Sequence, residues 1–337
     1  MRFHQKLTKE QHAGQRLMVG FDGIALDDTL KFYIDTIKVG GIILFSRNMG
    51  SPRQVQDLCG DAQNYARQCG QPPLFIGIDQ EGGVVARLKP PFTQFQGNPH
   101  MVEEADAAHF ALTTAKELNQ IGVNMNMAPV LDVLPDSGDS VMKDRAFGHA
   151  PEHVASMGKT VIDVFQQNHI MAVAKHFPGI GRTVLDSHLD LPDLDTGPDE
   201  LASRDMMPFQ SAIDTGVTGI MLSHIRYQSL DPHWPASLSP LITDEILRQK
   251  MGFQGLILTD DLDMGAIAKH YELPQIVSQC MTATVDILLI CRPGPKIESA
   301  LGHMLNCQKD NEDDFMAKEA ASMERIGKYK NRFLGYE

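Results

Sequence analysis

Clusters of positive charge are what this sequence most conspicuously lacks. Lys and Arg number 30 against 43 Asp and Glu, a formal net charge of −13. A nucleic-acid surface needs grouped cations to replace phosphate counterions, and an anionic lipid surface needs the same, so neither partner is expected. No apolar stretch approaches the roughly 20 residues of a membrane span. The opening "MRFHQKLTKEQHAGQRLMVGF" interleaves charge and glutamine where a secretory leader has an apolar core, so a cytoplasmic protein is expected. The five cysteines, Cys59, Cys69, Cys280, Cys291 and Cys307, have no C-x-x-C spacing and read as reduced thiols. Pro/Ser-rich linkers, internal repeats and low-complexity tracts are also missing, which argues for one folding unit.

What is present is a series of short β-type apolar runs. They occupy 16–21, 40–46, 74–79, 123–133, 171–177, 219–224, 255–261 and 286–291. None alternates with period two, as expected of parallel strands buried on both faces. Helix-patterned segments separate them. Ser51-Pro52 and Ser239-Pro240 each pair a capping residue with a proline suited to a first turn. Glu103 to Gln120 reads as a helix stopped by Gly122, and 310–333 as a closing helix. Eight such units predict a single-domain α/β fold, a (β/α)₈ barrel over 1–337. Its core spans about 10–295, with closing C-terminal helices at 296–333. Eighteen methionines, among them Met125, Met127 and Met171, read as core filler.

Barrel chemistry gathers at the C-terminal ends of strands. Asp79, Lys175-His176, His224 and Asp260-Asp261 all fall at the ends of their runs, which points to an enzyme. Several chemistries suit them. His176, His188, His224 and Asp260 are candidate metal ligands, but no H-x-H follows the first run, and no metal is expected. A Schiff base at Lys175 calls for apolar neighbours, whereas His176 adjoins it. Gly179-Ile180-Gly181 is weak as a phosphate loop. In "LDSH", Asp186 can accept the proton of one imidazole nitrogen of His188 and leave the other for substrate. A D-x-H of this kind is equally a turn-forming hydrogen bond. At 260–261, one carboxylate suits a nucleophile while its neighbour packs or caps the next helix. Asp132 and Asn126 read as structural, and His224 as either a barrel-mouth bond or a substrate contact.

Taken in order, "GGIILFSRN", "IDQEGGVVARL", "NMAPVLDV", "DRAFG", "KHFPGIGRTVLDSH", "MLSHIRYQSLDP", "ASLSP" and "GLILTDDLDMGAI" resemble glycoside hydrolase family 3 over roughly residues 10–295. Within that family the likeness is to the single-domain bacterial β-N-acetylglucosaminidases of peptidoglycan recycling. The resemblance implies Asp260 as nucleophile and His188 as general acid/base supported by Asp186. It also implies a sugar grip made by Asp79, Arg87, Arg145, Lys175 and His176. No cofactor is implied, the substrate is a muropeptide or GlcNAc glycoside, and a monomer is expected. The implied reaction is retaining removal of terminal GlcNAc from GlcNAc-1,6-anhydro-MurNAc, with or without peptide, through a covalent glycosyl-enzyme. A loop from about Gly179 to Leu191 is expected to carry His188 in and out. Alternatives are another family 3 exo-β-glycosidase, a GlcNAc phosphorylase, or a catalytically silent sugar-binding barrel. The β-glucosidases of the family take a carboxylate acid/base from an additional domain, for which this sequence shows neither length nor linker. Ile180, Arg182 and Val84 depart from the family pattern without removing a catalytic group.

Overall fold

The computed structural model describes residues 3–308 and 313–336. Eight parallel strands close into a barrel: β1 Leu17–Val19, β2 Gly41–Leu44, β3 Phe75–Ile78, β4 Met125–Asn126, β5 Met171–Phe177, β6 Gly219–Leu222, β7 Leu256–Asp261 and β8 Ile287–Ile290. Each strand pairs with its neighbours in chain order, and β8 returns to β1. The predicted (β/α)₈ barrel is the observed fold.

A helix follows every strand: α1 Asp28–Phe32 (running on as Tyr33–Ile37), α2 Pro52–Gln68, α3 Glu104–Gln120, α4 Pro151–Gln167, α5 Met207–Asp214, α6 Leu241–Lys250, α7 Leu273–Thr282 and α8 Pro295–Cys307. The starts follow their capping chemistry. Ser51 Oγ accepts the Gln54 amide at 3.2 Å, and Ser239 Oγ accepts that of Ile242 at 3.2 Å. The helix predicted from Glu103 ends at Gln120, with Gly122 taking a φ of +79° that L side chains avoid. The closing helix is α9, Asp313–Leu334; 310–312 of the expected span lie outside the described residues.

One expectation needs correction. The run 123–133 forms only the two-residue strand β4, because Pro129 has no amide to donate. Pairing with β5 resumes at a Val130–Lys175 bridge, which still carries Asp132 to the C-terminal end.

Alternation along the strands splits the core in two. One set of side chains packs under the helices. The other forms a second cluster inside the barrel, with Met18, Met125, Met127, Met171 and Met221 among Phe75, Val173, Leu256, Leu258 and Ile287. Flexible thioethers fill such a tapering interior well. Met323, Ile326 and Tyr329 of α9 join this cluster and close its N-terminal end. The other end is open. No described helix is long and apolar enough to cross a membrane.

Candidate active site

A cavity of about 410 Å³ opens at the C-terminal end of the barrel. Its floor is the last interior layer, Ile43, Met221, Leu289 and Cys291. All eight side chains proposed from the sequence line it: Asp79, Arg87, Arg145, Lys175, His176, Asp186, His188 and Asp260. Residues as far apart in sequence as Asp79 and Asp260 are thus united by barrel closure.

One wall is an ionic network. Lys175 Nζ, 3% exposed, lies 2.8 Å from Asp79 Oδ1 and 2.6 Å from Glu81 Oε1. Arg87 reaches Asp79 Oδ2 at 3.2 Å and stands over the Phe45 ring. Arg145 grips Glu81 with two bonds of 2.7 and 3.0 Å. Burial alone would raise the carboxyls of Asp79 and Glu81. The facing cations prevail, Lys175 and Arg87 for the first and Lys175 and Arg145 for the second, and both stay below their ordinary values. The same carboxylates, working against burial, raise Lys175 above its ordinary value. This lysine is a charged ammonium with two anionic partners, the opposite of a Schiff-base nucleophile.

Glu81 was missed in the sequence as a site residue although it lies in "IDQEGG". Its signal was available: Asp79 and Glu81 are two apart, the spacing that puts extended residues on one side. Asp132 is structural in the sense expected. Its Oδ2 lies 2.8 Å from His176 Nδ1, and its Oδ1 accepts the Ile180 amide at 2.8 Å. The other ring nitrogen of His176 faces Arg145 at 3.4 Å.

At the end of β7 the two adjacent carboxylates diverge. Asp261 Oδ1 accepts the amides of Asp263 and Cys291, each at 3.0 Å, which braces β7 against β8 beside a register shift. Burial, with Asp263 and Asp260 nearby, pushes its carboxyl up to about 6. Asp260 Oδ1 accepts only the Asp261 amide, at 2.8 Å, and its Oδ2 has no protein partner among the described residues. Burial raises Asp260, but His176, His224, the Asp261 amide and Lys175 outweigh it and hold the carboxyl below its usual value. An ionised oxygen therefore faces the cavity.

Across the mouth, the loop after β5 presents His188, whose side chain is 67% exposed. Its Nδ1 lies 2.8 Å from Asp186 Oδ1, and the same oxygen accepts the His188 amide at 2.8 Å. A carboxylate accepts only, so Nδ1 carries the proton and Nε2 is turned outward from the pair. Against burial, those bonds to His188 keep the Asp186 carboxyl below its usual value.

His224 takes the structural option. Its Nε2 donates to the Asp261 carbonyl at 3.0 Å, and its Nδ1 faces Ser237 Oγ at 2.8 Å. Asn126 bonds both ways to the Gln80 backbone, tying β4 to the loop after β3. Of the three departures, Ile180 lines the cavity, Arg182 pairs with Asp205 and Glu200, and Val84 sits exposed at a hairpin turn.

A strand-end carboxylate and a carboxylate-paired imidazole thus line one cavity. Residues 8–326 fit the description "Glycosyl hydrolase family 3 N terminal domain", and the chain belongs to that family. A β-hexosaminidase of Alkalilimnicola ehrlichii is 35% identical over 297 residues, covering 86% of this chain and 84% of that protein. Beta-hexosaminidase A of Pseudoalteromonas piscicida is 32% identical over 371 residues, 97% of this chain and 61% of its own. The solved family 3 β-N-acetylglucosaminidase from Paenibacillus sp. str. FPU-7 superposes with a TM-score of 0.93 at 34% identity, over 97% of this chain and 63% of that one. This chain thus spans less than two thirds of the last two proteins.

Proposed function

We propose that this chain is a retaining exo-β-N-acetylglucosaminidase that removes terminal β-linked GlcNAc from peptidoglycan fragments such as GlcNAc-1,6-anhydro-MurNAc, with or without peptide. The observation that carries the reading is the pairing within one cavity of an ionised, outward-facing Asp260 oxygen and a His188 ring whose Nδ1 is held by Asp186. The names of the similar hexosaminidases support the choice of sugar.

Asp260 Oδ2 attacks the anomeric carbon as the bond to the leaving oxygen breaks, and imidazolium His188 gives its Nε2 proton to that oxygen. The products are the free aglycone and a glycosyl ester on Asp260. Neutral His188 then takes a proton from water, whose oxygen displaces Asp260 from the same face the aglycone left. Asp186 keeps the proton on Nδ1 throughout, so that only Nε2 gives and takes a proton. Asp79, Arg87, Arg145, Lys175 and His176 hold the sugar hydroxyls through charge-assisted hydrogen bonds. The five cysteines form no disulfide with one another, which suits a reducing cytoplasm.

The test is turnover of nitrophenyl β-GlcNAc together with a fluoro-sugar trap. Asp260→Ala is expected to abolish turnover, and mass spectrometry of the trapped enzyme to find the label on the peptide containing Asp260. Near-normal activity of the variant, or a label elsewhere, overturns the assignment.

A further inference from the structure

We propose that Gly265–His270, the segment that follows the Asp260 strand, is a latch that holds the His188 loop in its working pose. The inference rests on the reading of His188 as acid/base. Four hydrogen bonds cross between the two segments. The Gly265 amide donates to the His188 carbonyl at 3.1 Å and the Ala266 amide to that of Ser187 at 3.0 Å. Lys269 Nζ donates to the Leu189 carbonyl at 2.7 Å, and His270 Nε2 meets Asp190 Oδ1 at 2.5 Å. The His270 bond, with the Leu191 amide, keeps the Asp190 carboxyl below its ordinary value.

The latch is well founded on its inner side. Ala266 and Ile267 are fully buried, the Met264 amide donates to Asp261 O, and Lys296 Nζ donates to Leu262 O at 2.7 Å. Nucleophile and acid/base are therefore referenced to one short stretch of chain, and their separation is set within it rather than across the whole barrel. The fit at the contact is close. A Cβ on Gly265 would stand 2.6 Å from the Leu189 carbonyl oxygen and 2.7 Å from that of His188, while its backbone lies outside the left-handed region. An alanine is thus conformationally acceptable there, and only the loop has to move. On the outer side the clasp is wet, with Asp190 52% and His270 40% exposed. Solvent-exposed side-chain pairs hold weakly, so this one can release as product leaves and re-form over new substrate. Lys269 and His270 are positioning residues on this account, acting only through His188.

Leaving-group dependence tests the idea. A dinitrophenolate departs without a proton, whereas a sugar alkoxide needs one from His188. The variants are Gly265→Ala and the double change Lys269→Ala/His270→Ala, with His188→Ala as reference. In both latch variants kcat/KM on a GlcNAc disaccharide is expected to fall about tenfold, and on 2,4-dinitrophenyl β-GlcNAc to change by less than about twofold. His270→Gln, which keeps a donor toward Asp190, is expected to retain wild-type values beside the Lys269→Ala/His270→Ala loss. Equal losses on both substrates, or none on the disaccharide, overturn the latch. If His188→Ala shows the leaving-group dependence and the latch variants do not, the latch alone is wrong. If His188→Ala shows none, the acid/base reading fails and takes the latch with it.

Discussion

Replacing Lys175 by methionine keeps the length of the side chain and removes the one ammonium shared by two buried carboxylates. In the native protein Nζ lies 2.8 Å from Asp79 and 2.6 Å from Glu81, the latter only 1% exposed. Breaking a buried ion pair from one side costs about 3–5 kcal/mol, because the remaining charge stays desolvated. Here each carboxylate keeps a guanidinium, Arg87 for Asp79 and Arg145 for Glu81, which puts the expected cost at the low end, about 3 kcal/mol. With about 2 cal/mol/K of unfolding entropy per residue over 337 residues, that is a fall of about 4 °C in Tm. The pH profile is a second check. Both carboxyls are depressed in the fold, so their contribution is complete above their unfolded values and is lost as pH falls through the folded ones. Lys175 is raised, so its share is complete below its unfolded value and is lost as pH rises through the folded one. The gap between wild type and Lys175→Met should be level from about pH 5 to about pH 10 and close at both extremes. Calorimetry without ligand reads this independently of catalysis. A Tm change under about 1 °C at pH 7, or a gap that widens toward acid, refutes the reasoning.

Gly181→Ala puts a Cβ 1.9 Å from the Val133 carbonyl oxygen, next to the Asp132 that orients His176. Denaturant titration should show a loss of about 3 kcal/mol, whereas Gly60→Ala, on the exposed side of α2 with nothing within 4 Å, should gain about 0.5–1 kcal/mol. Lys330 lies buried with Gln15 and the Gly40 carbonyl as partners and, among the described residues, no carboxylate, and burial holds it well below its ordinary value. A lysine depressed in the fold binds its proton more tightly when unfolded, so stability rises with pH. The Tm of wild type minus that of Lys330→Met should therefore increase from pH 5 to pH 9; a flat difference counts against a depressed Lys330.

How far the sequence could be read depends on the range of the interaction concerned. Strand runs, caps and the stop at Gly122 are local, and they translated directly into the barrel. The run 123–133 was read too long because its apolar character continues through Pro129, which local hydrophobicity does not register. Asp260 and Asp261 look equivalent in "TDDL". What separates them is the amide of Cys291, thirty residues on, which only barrel closure brings to Asp261. Glu81 is legible from its spacing to Asp79, but its role depends on Lys175 and Arg145, which only the closed barrel brings to it. The bonds from Gly265–His270 to the His188 loop had no signal at all, since two of the four run between backbone groups and another ends on a carbonyl.

The barrel carries a buried charge cluster at each end, and comparing them shows what marks one as a site. At the N-terminal end Asp286 takes Arg248 on one oxygen and Arg325 on the other, and also accepts the Ile257 amide. Every carboxylate oxygen there is spent on the protein itself, and α9 covers the interior alongside. At the C-terminal end Asp79 and Glu81 are similarly spoken for, yet Asp260 Oδ2 has no partner among the described residues and the space beyond it is open. The charge on Asp260 is held instead by His176, His224 and Lys175 nearby and by the Asp261 amide, which leaves Oδ2 on the cavity side. Asp261, Asp132 and Asp286 have their carboxylates tied to backbone amides of other elements, whereas Asp260 accepts only the amide of its own neighbour. That difference supports the proposed assignment of Asp260, rather than Asp261, Asp132 or Asp286, as the nucleophile.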